Sequence, residues 1–524
     1  MRAAGLRRGI GLLLILLLSA GFFGLRLIYP FHALLVRVQF STALGRLLAA
    51  GSLAAALAAG GILALLMLSS LLLGRVYCGI LCPLGHLQDL IAVLRRRPYR
   101  KQARFGALHI GISLTAWIFA VGGVMMLINL IGPYALFGRF LRDLAAPLAA
   151  GATNILGRGL MPLGIYLPPY PLTIHPGAAL LTGVCAAALT VAVLLSGRLF
   201  CNTLCPVGGL LRIASVRPRY AVRLDEAACI ACGACVARCP AGCIDLEQRK
   251  VDSGRCLLCL ECLDGCPTSA LSYGPSISPH AGKSQKGEPD INRRSFIRLT
   301  GLSTLSLGLL AGGCATRSED DRILDDGSLP GAVSPPGSAG ISRFASHCIA
   351  CHLCVSRCPT RVLQPALFAY GFKSINQPFM DFASGFCEYE CIECGQACPT
   401  GAILPLSVAE KRRTQIGEAR FIEDRCIVIT EGTACGACAE VCPTGAARMV
   451  AHKDLLTIPI TTPEVCIGCG HCENACPAEP QKAIIVAAKD IHGRALPAIP
   501  KEEPKAAGEE LRVDDTSAED EFPF

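Results

Sequence analysis

Two stretches with the same cysteine spacing decide the fold of the central part of the chain. Residues 229–240 read CIACGACVARCP, and residues 256–267 read CLLCLECLDGCP. In this Cys-x2-Cys-x2-Cys-x3-Cys-Pro spacing a tight loop delivers three thiolates to three irons of one cube, and the fourth cysteine binds the neighbouring cube. Zinc is the main alternative, but zinc sites typically carry two separated Cys-x2-Cys or Cys/His pairs. The two stretches therefore predict a bacterial-type 2[4Fe-4S] ferredoxin domain at residues 221–273.

The exchange of the fourth cysteine predicts how the eight thiolates of this domain are shared. One cluster is predicted to take Cys229, Cys232, Cys235 and Cys266. The other is predicted to take Cys256, Cys259, Cys262 and Cys239.

Four more cysteine quartets follow residue 340 and predict a four-cluster α+β polyferredoxin domain at 341–490. Two quartets have the regular spacing. One of the other two opens with a three-residue gap and one with an eight-residue gap, so the identity of the first ligand is open in these two irregular quartets. Spacing also leaves open whether neighbouring quartets exchange their last cysteine or are nested. The quartets are Cys348, Cys351, Cys354, Cys358; Cys387, Cys391, Cys394, Cys398; Cys426, Cys435, Cys438, Cys442; and Cys466, Cys469, Cys472, Cys476.

Six predicted [4Fe-4S] clusters thus account for most of the 31 cysteines in this chain of 524 residues. A hydrophobic fraction of 52% excludes a disordered chain, and the length excludes a small disulfide-stapled secreted domain. With one Trp and 6% aromatic residues the chain is poorly supplied with stacking platforms for nucleic acid, despite a net charge of +9. No nucleic-acid partner is predicted.

The hydrophobic residues are concentrated in the first 200 residues, in four runs whose lengths are close to the roughly 20 apolar residues that a membrane span needs. The spans are predicted at residues 9–28, 47–73, 107–131 and 177–197. Fifteen lysines and arginines flank one side of these runs and five flank the other. Because basic residues favour the cytoplasmic side, the N-terminus and the residues after the fourth span are predicted to lie in the cytoplasm of a bacterial inner membrane.

The predicted membrane domain, residues 1–220, contains an internal repeat. Residues 74–85 read GRVYCGILCPLG and residues 197–208 read GRLFCNTLCPVG, at a constant offset of 123 residues. Two Cys-x3-Cys-Pro motifs related by a pseudo-twofold axis could present four thiolates to one metal centre. Reduced thiols or a dithiol switch are the alternatives. The candidate ligands are Cys78, Cys82, Cys201 and Cys205.

The predicted linker at 274–340 contains a second topological signal. Arg293 and Arg294 precede Phe296 and a mildly apolar stretch at 299–313, which resembles a twin-arginine export signal. A chance arginine pair before a short helix is the alternative. Export of a folded unit suits a domain with 16 cluster thiolates, so the last four clusters are predicted to be periplasmic behind an uncleaved fifth membrane anchor. An acidic tail, 491–524, is predicted to be disordered.

Together these motifs resemble two known subunits. Residues 1–270 resemble the membrane-bound ferredoxin-type H-type subunit of periplasmic nitrate reductase systems and its methylamine-utilisation relative, with four spans, two Cys-x3-Cys-Pro motifs and two cluster loops. Residues 290–486 resemble the G-type subunit of the same systems. The chain therefore looks like a fusion of the two. The resemblance implies a quinol dehydrogenase component that takes electrons from membrane quinol and passes them to a periplasmic reductase or a c-type cytochrome.

No quinone-binding residue follows from the resemblance. His86 and His109 are candidates for proton acceptance from a quinol, since neutral imidazole suits that role, and ordinary interfacial histidines are the alternative. No pair of histidines lies inside a predicted span to hold a haem. We therefore expect the quinol, or a centre on the Cys-x3-Cys-Pro motifs, to link clusters on the two sides of the membrane. A donor of electrons for metalloenzyme maturation or metal-ion reduction, and a wholly cytoplasmic polyferredoxin, are the alternative functions.

Overall fold

The computed structural model describes residues 3–24, 28–95, 97–99, 105–164, 166, 174–276, 331–453 and 456–500. These residues form a helical unit, a small ferredoxin unit near the middle of the chain (the central ferredoxin unit) and a larger one after it (the C-terminal ferredoxin unit). The twin-arginine pair, the predicted anchor, Cys314 and the acidic residues after 500 lie outside the described residues.

Within the residues that the structure describes, the helical unit has twelve α-helices and two short π-helical turns. Its α-helices are α1 (Ala3–Ala20), α2 (Tyr29–Arg37), α3 (Phe40–Leu48), α4 (Leu53–Leu73), α5 (Pro83–Ala92), α6 (Gly106–Val121), α7 (Met126–Ile131), α8 (Pro133–Arg139), α9 (Ala146–Leu160), α10 (Pro176–Ser196), α11 (Leu199–Thr203) and α12 (Pro206–Ala214). The π-helical turns are Tyr77–Leu81 and Phe140–Ala145.

Two of the helices that the structure describes, α4 and α10, are long and apolar enough to cross a membrane. Each has 21 residues, or about 31 Å at 1.5 Å per residue, which matches a hydrocarbon core of about 30 Å. The third predicted span is divided: α6 ends at Val121 because Gly123 takes a φ of +82°, and the chain resumes as α7. The four-span topology therefore stays a prediction.

An unexpected hairpin of α2 and α3 enters the helical unit between the first two predicted spans. At its tip, Gln39 accepts a hydrogen bond from Tyr77 Oη at 2.9 Å and donates one to Leu81 O at 3.2 Å. Both partners lie in the turn that carries the first Cys-x3-Cys-Pro motif. The segment that the hydropathy pattern treats as a simple loop thus supports the turn of the first cysteine motif through two hydrogen bonds of Gln39.

The central ferredoxin unit has paired strands around two short helices. Its elements are β1 (Tyr220–Leu224), α13 (Ala234–Arg238), β2 (Ile244–Asp245), β3 (Lys250–Val251), α14 (Glu261–Asp264) and β4 (Leu271–Pro275). Antiparallel pairing of β1 with β4 and of β2 with β3 closes the two halves around the cysteine loops. This agrees with the predicted ferredoxin domain.

The C-terminal ferredoxin unit has the same kind of architecture. Its elements are α15 (Ile341–His347), α16 (Leu353–Arg357), β5 (Leu363–Pro365), β6 (Pro378–Met380), α17 (Glu393–Ala397), α18 (Val408–Lys411), β7 (Thr414–Phe421), α19 (Ile427–Thr430), α20 (Ala437–Glu440), β8 (Ala447–Ala451), β9 (Thr457–Thr461), α21 (His471–Ala475) and β10 (Ile484–Arg494). The antiparallel pairs are β5–β6, β7–β10 and β8–β9. Two contacts of this unit lie outside residues 341–490: Val333 pairs with Met380, and β10 continues to Arg494.

The two ferredoxin units contact opposite ends of the helical unit. The start of α1 and the ends of α4 and α10 meet the central unit through Arg8–Glu261, Leu73–Tyr273 and Arg198–Pro240. The other end meets the C-terminal unit through Tyr29–Gln396, Asn129–Ile375 and His175–Phe379. One continuous hydrophobic core runs between them, from Cys239 through Cys82 and Cys205 to Cys351.

A buried polar contact fixes the C-terminal unit on the helical unit. His352 Nδ1 lies 3.0 Å from Asp143 Oδ1, and Thr182 donates a hydrogen bond of 2.8 Å to the other carboxylate oxygen. His352 Nε2 lies 2.8 Å from Asn376 O. Burial alone would raise the pKa of Asp143, but the charge of His352 and these hydrogen bonds outweigh it and lower that pKa. The carboxylate is therefore held ionised at the interface.

Candidate iron–sulfur sites and the cavity beside them

The four regular cysteine loops share a backbone shape that is typical of a ligand cradle. In each, the residues on both sides of the second cysteine have positive φ. They are Ala231 and Gly233, Leu258 and Leu260, Ala350 and His352, and Gly468 and Gly470. Five of these eight residues are not glycine, and a left-handed conformation there costs of order 1–3 kcal/mol each. Such strain clusters at ligand sites, and turns of this kind aim successive backbone N–H groups at an anion. The loops therefore fit an anionic iron–sulfur cluster.

In the central ferredoxin unit the structure brings Cys239 to the second cysteine loop. Cys239, Cys256, Cys259 and Cys262 line one cavity. Burial raises the pKa of Cys262, and the charges of the other three thiolates raise it further. We call these four cysteines the inner group, and they are the set predicted from the exchange of the fourth cysteine. Cys243, which the spacing left unassigned, lines the same cavity, with its sulfur 3.5 Å from that of Cys239.

The C-terminal unit answers the question that spacing left open, because its quartets exchange their last cysteine in two pairs. The cavity lined by Cys387, Cys391 and Cys394 also contains Cys358. The cavity lined by Cys426, Cys435 and Cys438 also contains Cys476. Burial and the charges of Cys348, Cys351 and Cys398 raise the pKa of Cys354. In the same way, burial and the charges of Cys469, Cys466 and Cys442 raise the pKa of Cys472.

These four groups follow one another through the C-terminal unit. The group of Cys351 lies against the helical unit, since a Cβ on Gly138 would stand 2.2 Å from Cys351 O. Cys387 N donates a hydrogen bond of 2.8 Å to Cys469 O, so the second and fourth quartets are neighbours. The group that contains Cys435 is then the farthest from the helices along this sequence of contacts.

No three His, Cys, Asp or Glu side chains in the described part of the chain form a group that could hold a single metal ion. A tetrahedral zinc ion with bonds of about 2.3 Å would need its sulfurs about 3.8 Å apart. The spacing of the cysteine loops, with three cysteines in one loop and a fourth before proline that joins a second loop, is that of [4Fe-4S] clusters and not of the paired Cys-x2-Cys pattern of zinc sites.

The two Cys-x3-Cys-Pro motifs also meet. Cys78, Cys82, Cys201 and Cys205 are each no more than 6% exposed, and we call them the four-thiol group. Burial raises the pKa of Cys205, and the charges of the other three members raise it further. The duplicated motif thus brings four buried thiols together from its two copies.

Two buried arginines are exchanged between the repeats. Arg75 of the first repeat donates a hydrogen bond of 2.9 Å to Cys201 O of the second. Arg198 of the second repeat donates one of 2.9 Å to Cys78 O of the first. Both side chains are buried, with relative exposures of 0% and 1%. Each half of the group therefore depends on a cation from the other half.

A cavity of about 580 Å³ lies beside the inner group, between α1, α5 and the central ferredoxin unit. Its size is within the range of about 300–1,000 Å³ that is common for small-molecule sites. Its walls combine apolar side chains such as Leu12 and Ile15 with His86 and Asp89. Pro240, which follows the inner-group cysteine Cys239, forms part of the wall. A molecule in this cavity would be one residue from a cluster ligand.

One ring nitrogen of His86, Nδ1, carries no hydrogen and faces Gly11 in the wall of this cavity. Its Nε2 lies 2.7 Å from Ile80 O, which can only accept, so Nε2 carries the hydrogen and Nδ1 is left as an acceptor. A Cβ on Gly11, which also lines the cavity, would stand 2.2 Å from Nδ1. Burial lowers the pKa of His86 and keeps the ring neutral near pH 7.

Asp89 holds two buried arginines at the same cavity. Arg198 binds both of its oxygens, at 2.8 and 2.5 Å, and Arg7 donates to one of them at 2.8 Å. Burial alone would raise the pKa of Asp89, but the charges and hydrogen bonds of these arginines outweigh it and lower that pKa. The sequence did not single out Asp89. The sequence did contain one indication of its role, since Asp89 is an acidic residue near the end of an apolar helix, beside a strongly basic flank.

His109, the second predicted proton acceptor, is not among the residues that line this cavity. Its Nε2 lies 3.0 Å from Cys205 O, and the side chain is fully buried. It supports the backbone of the four-thiol group, so it is neither at this cavity nor at an exposed interface as the sequence interpretations had it.

Family models match the parts of the chain that carry these cysteines. A model described as a 4Fe-4S binding domain matches residues 55–102 and 178–220, and another of that description matches 345–361. Models described as 4Fe-4S dicluster domains match residues 221–267 and 433–480. The chain therefore contains several 4Fe-4S binding domains.

Comparison with curated proteins identifies the family. Ferredoxin-type protein NapF of Escherichia coli K12 is 30% identical over 146 residues, which cover 28% of this chain and 80% of that protein. The chain belongs to the ferredoxin-type protein family. Ferredoxin-type protein NapG of the same strain is 29% identical over 212 residues, 39% of this chain and 88% of NapG. The resemblance predicted from the sequence is thereby confirmed.

A third relative matches over a shorter part of its length. Methylamine utilization ferredoxin-type protein MauM of Methylobacillus flagellatus is 34% identical over 150 residues, 28% of this chain. The chain spans 63% of that protein and 66% of MauM from Methylophilus methylotrophus. A comparison with solved structures found no match. This ferredoxin-type protein contains 4Fe-4S binding domains and is related to the Nap and Mau ferredoxin-type proteins.

Proposed function

We propose that this protein oxidises membrane quinol at the cavity between α1 and α5 and passes the electrons through its cysteine-bound clusters to a redox partner. The observation that carries the proposal is Pro240, which lines the cavity and directly follows the inner-group cysteine Cys239. The cavity lies where α1 and α5 meet the central ferredoxin unit, so a quinol head group entering from the bilayer would lie one residue from a cluster ligand.

The side chains of the cavity supply the proton chemistry. Oxidation of a quinol releases two electrons and two protons, and [4Fe-4S] clusters, when bound, accept electrons one at a time. His86 Nδ1 carries no hydrogen and takes no part in the bond to Ile80, so it accepts one proton from each quinol hydroxyl in turn and releases the first to solvent before it accepts the second. Asp89 stays ionised and fixes Arg198 and Arg7, whose positive charges favour negative charge developing on the oxygen that loses its proton.

The order of the cysteine groups supports the path of the electrons after the cavity. The inner group lies at one end of the helical unit, and the groups of Cys351, Cys387, Cys469 and Cys435 follow one another from the other end. A membrane around α4 and α10 would place the two ferredoxin units on opposite sides. The basic flanks favour a cytoplasmic central unit, so the C-terminal unit would deliver electrons to a periplasmic reductase or c-type cytochrome.

The experiment uses the full holoprotein in lipid vesicles, with a short-chain quinol as donor and a soluble one-electron acceptor. We expect His86→Gln to lower the turnover number about 10²-fold or more, in the range for loss of a general base. His452→Gln, a matched exchange in the turn between β8 and β9, should leave turnover unchanged. Equal turnover of His86→Gln and the unmodified protein would refute the assignment of the cavity, and no quinol turnover at all would favour the maturation role.

A further inference from the structure

We infer that the Cys243 thiol donates a hydrogen bond to the sulfurs of the inner group and thereby raises the reduction potential of the cluster that these cysteines bind. The cysteine spacing leaves Cys243 without a role. The cavity of the inner group is lined by five thiols, one more than the four irons of a [4Fe-4S] cluster need. The inference goes beyond quinol oxidation, because it concerns the inner cluster whatever molecule supplies its electrons.

Cys243 lies between two cluster ligands that come from different loops. Its sulfur is 3.5 Å from that of Cys239, and a side-chain hydrogen bond also links it to Cys256. A sulfur that binds iron has no hydrogen, so in either contact the hydrogen comes from Cys243. Only 6% of Cys243 is exposed, and a thiol buried in apolar surroundings keeps its hydrogen. Cys243 can therefore act as a donor to both loops of the inner group.

The backbone on both sides of Cys243 fixes its position. Gly242 N donates a hydrogen bond of 3.2 Å to Cys239 O, and Gly242 has a φ of +54°, which glycine adopts without strain. This turn brings Cys243 back towards Cys239. On the other side, Cys243 O accepts a hydrogen bond of 2.9 Å from Asp252 N, beside the paired strands β2 and β3. The position of the thiol therefore does not depend on a bond to iron.

The other quartets show which donor Cys243 replaces. Four of the six quartets end in Cys-Pro-Thr, and in each the threonine Oγ1 lies 3.6 or 3.7 Å from Sγ of that cysteine. These threonines are Thr268, Thr360, Thr400 and Thr444. After Cys239 the corresponding residue is Ala241, which has no side-chain donor. Two positions further on, where the same four quartets carry alanine or valine, this loop has Cys243.

A hydrogen bond to a ligand sulfur makes a cluster easier to reduce. The added electron increases the negative charge on the sulfurs, so a donor stabilises the reduced cluster more than the oxidised one. Arg75, a buried cation whose charge acts on Cys256, favours the reduced cluster in the same way. In this step the inner cluster gains one electron and the hydrogen stays on Cys243, so no bond is formed or broken and no proton is transferred.

The test is a redox titration of the full holoprotein with a chemical reductant and mediators, followed by EPR. Cys259→Ser identifies the signal of the inner cluster, because it removes one ligand of that cluster. We expect Cys243→Ala to make the inner cluster about tenfold harder to reduce, which for a one-electron couple lowers the midpoint potential by about 59 mV. Cys243→Ser keeps a donor and should restore most of this loss. Cys185→Ala, a matched exchange in α10, should leave the inner potential unchanged.

An unchanged inner potential in Cys243→Ala would overturn the inference. Loss of the inner cluster from an otherwise folded Cys243→Ala protein would also overturn it, because Cys243 would then be a ligand. If the variants do not fold, infrared difference spectra of the unmodified protein replace them. Reduction of the inner cluster should strengthen the hydrogen bond and shift an S–H stretching band, and a spectrum without such a shift would contradict the inference. Failure of quinol oxidation would change neither result, since the chemical reductant supplies the electrons.

Discussion

Substitution of Gly11 by alanine tests the geometry of the proposed quinol cavity. A Cβ at this position would stand 2.2 Å from His86 Nδ1, whereas ordinary contact begins at 3.4 Å. The ring must therefore move by at least about 1.2 Å, or α1 must shift away from α5 by a similar distance. Misplacing a reacting group by about 1 Å can cost about 10²-fold in rate. We expect Gly11→Ala to lower the quinol oxidation rate by this factor.

Gly9→Ala is the matched control on the same helix, since a Cβ on Gly9 meets no atom within 4 Å. Both variants replace a helical glycine by alanine, so the gain of about 1 kcal/mol in helix propensity is common to both. The assay is stopped-flow reduction of the clusters by quinol, followed through the bleaching of their visible absorbance. A rate for Gly11→Ala within threefold of the unmodified protein, with the clusters intact, would refute the role given to His86.

Three further predictions concern charge and cluster assignment. Asp89→Asn should destabilise the helical unit by about 3–5 kcal/mol, because it leaves buried Arg198 without its carboxylate partner. Arg8→Gln, which removes the exposed Arg8–Glu261 pair, should cost about 1 kcal/mol or less. Thermal unfolding in detergent compares the stability of the two variants. Because burial lowers the pKa of His86 below its usual value of about 6.5, quinol oxidation should not change with pH above about 6.5 and should fall as the ring is protonated at lower pH. A rate that already falls between about pH 8 and about pH 6.5, or that rises on acidification, would contradict this. Cys398→Ser should remove the EPR signal of the cluster that contains Cys348 and keep the signal of the cluster that contains Cys387. EPR spectra of Cys398→Ser and Cys358→Ser decide which cysteine belongs to which cluster.

The cysteine spacing predicted the ferredoxin units well, because three ligands within one loop are a local property of the sequence. It predicted that Cys239 would join the second loop of the central unit. It could not pair the quartets of the C-terminal unit, since the exchange of Cys358 and Cys398 depends on how two distant loops pack. Cys243 was left unassigned for the same reason.

Hydropathy located the apolar helices but not their irregularities. A window average over the third predicted span does not register the left-handed Gly123, which separates α6 from α7. It also treats residues 29–46 as a connection, although Gln39 there reaches the cysteine motif. The cavity was out of reach of any local pattern, because its walls come from three segments far apart in the chain. His86 could be suspected from its chemistry, but only packing shows that it faces Gly11.

The exchanged arginines have a consequence for how the duplicated hairpin could have arisen. Two identical hairpins about a twofold axis would make both arginine-to-carbonyl contacts at once, since such an interface is self-complementary. Joining the copies in one chain removes the requirement that they stay identical. At the offset of 123 residues, His86 corresponds to Gly209 and Asp89 to Arg212, which packs against Gly106. One copy thus carries the acid and base of the cavity, and the other has a glycine and a packing arginine at these positions, so each chain should bind a single quinol.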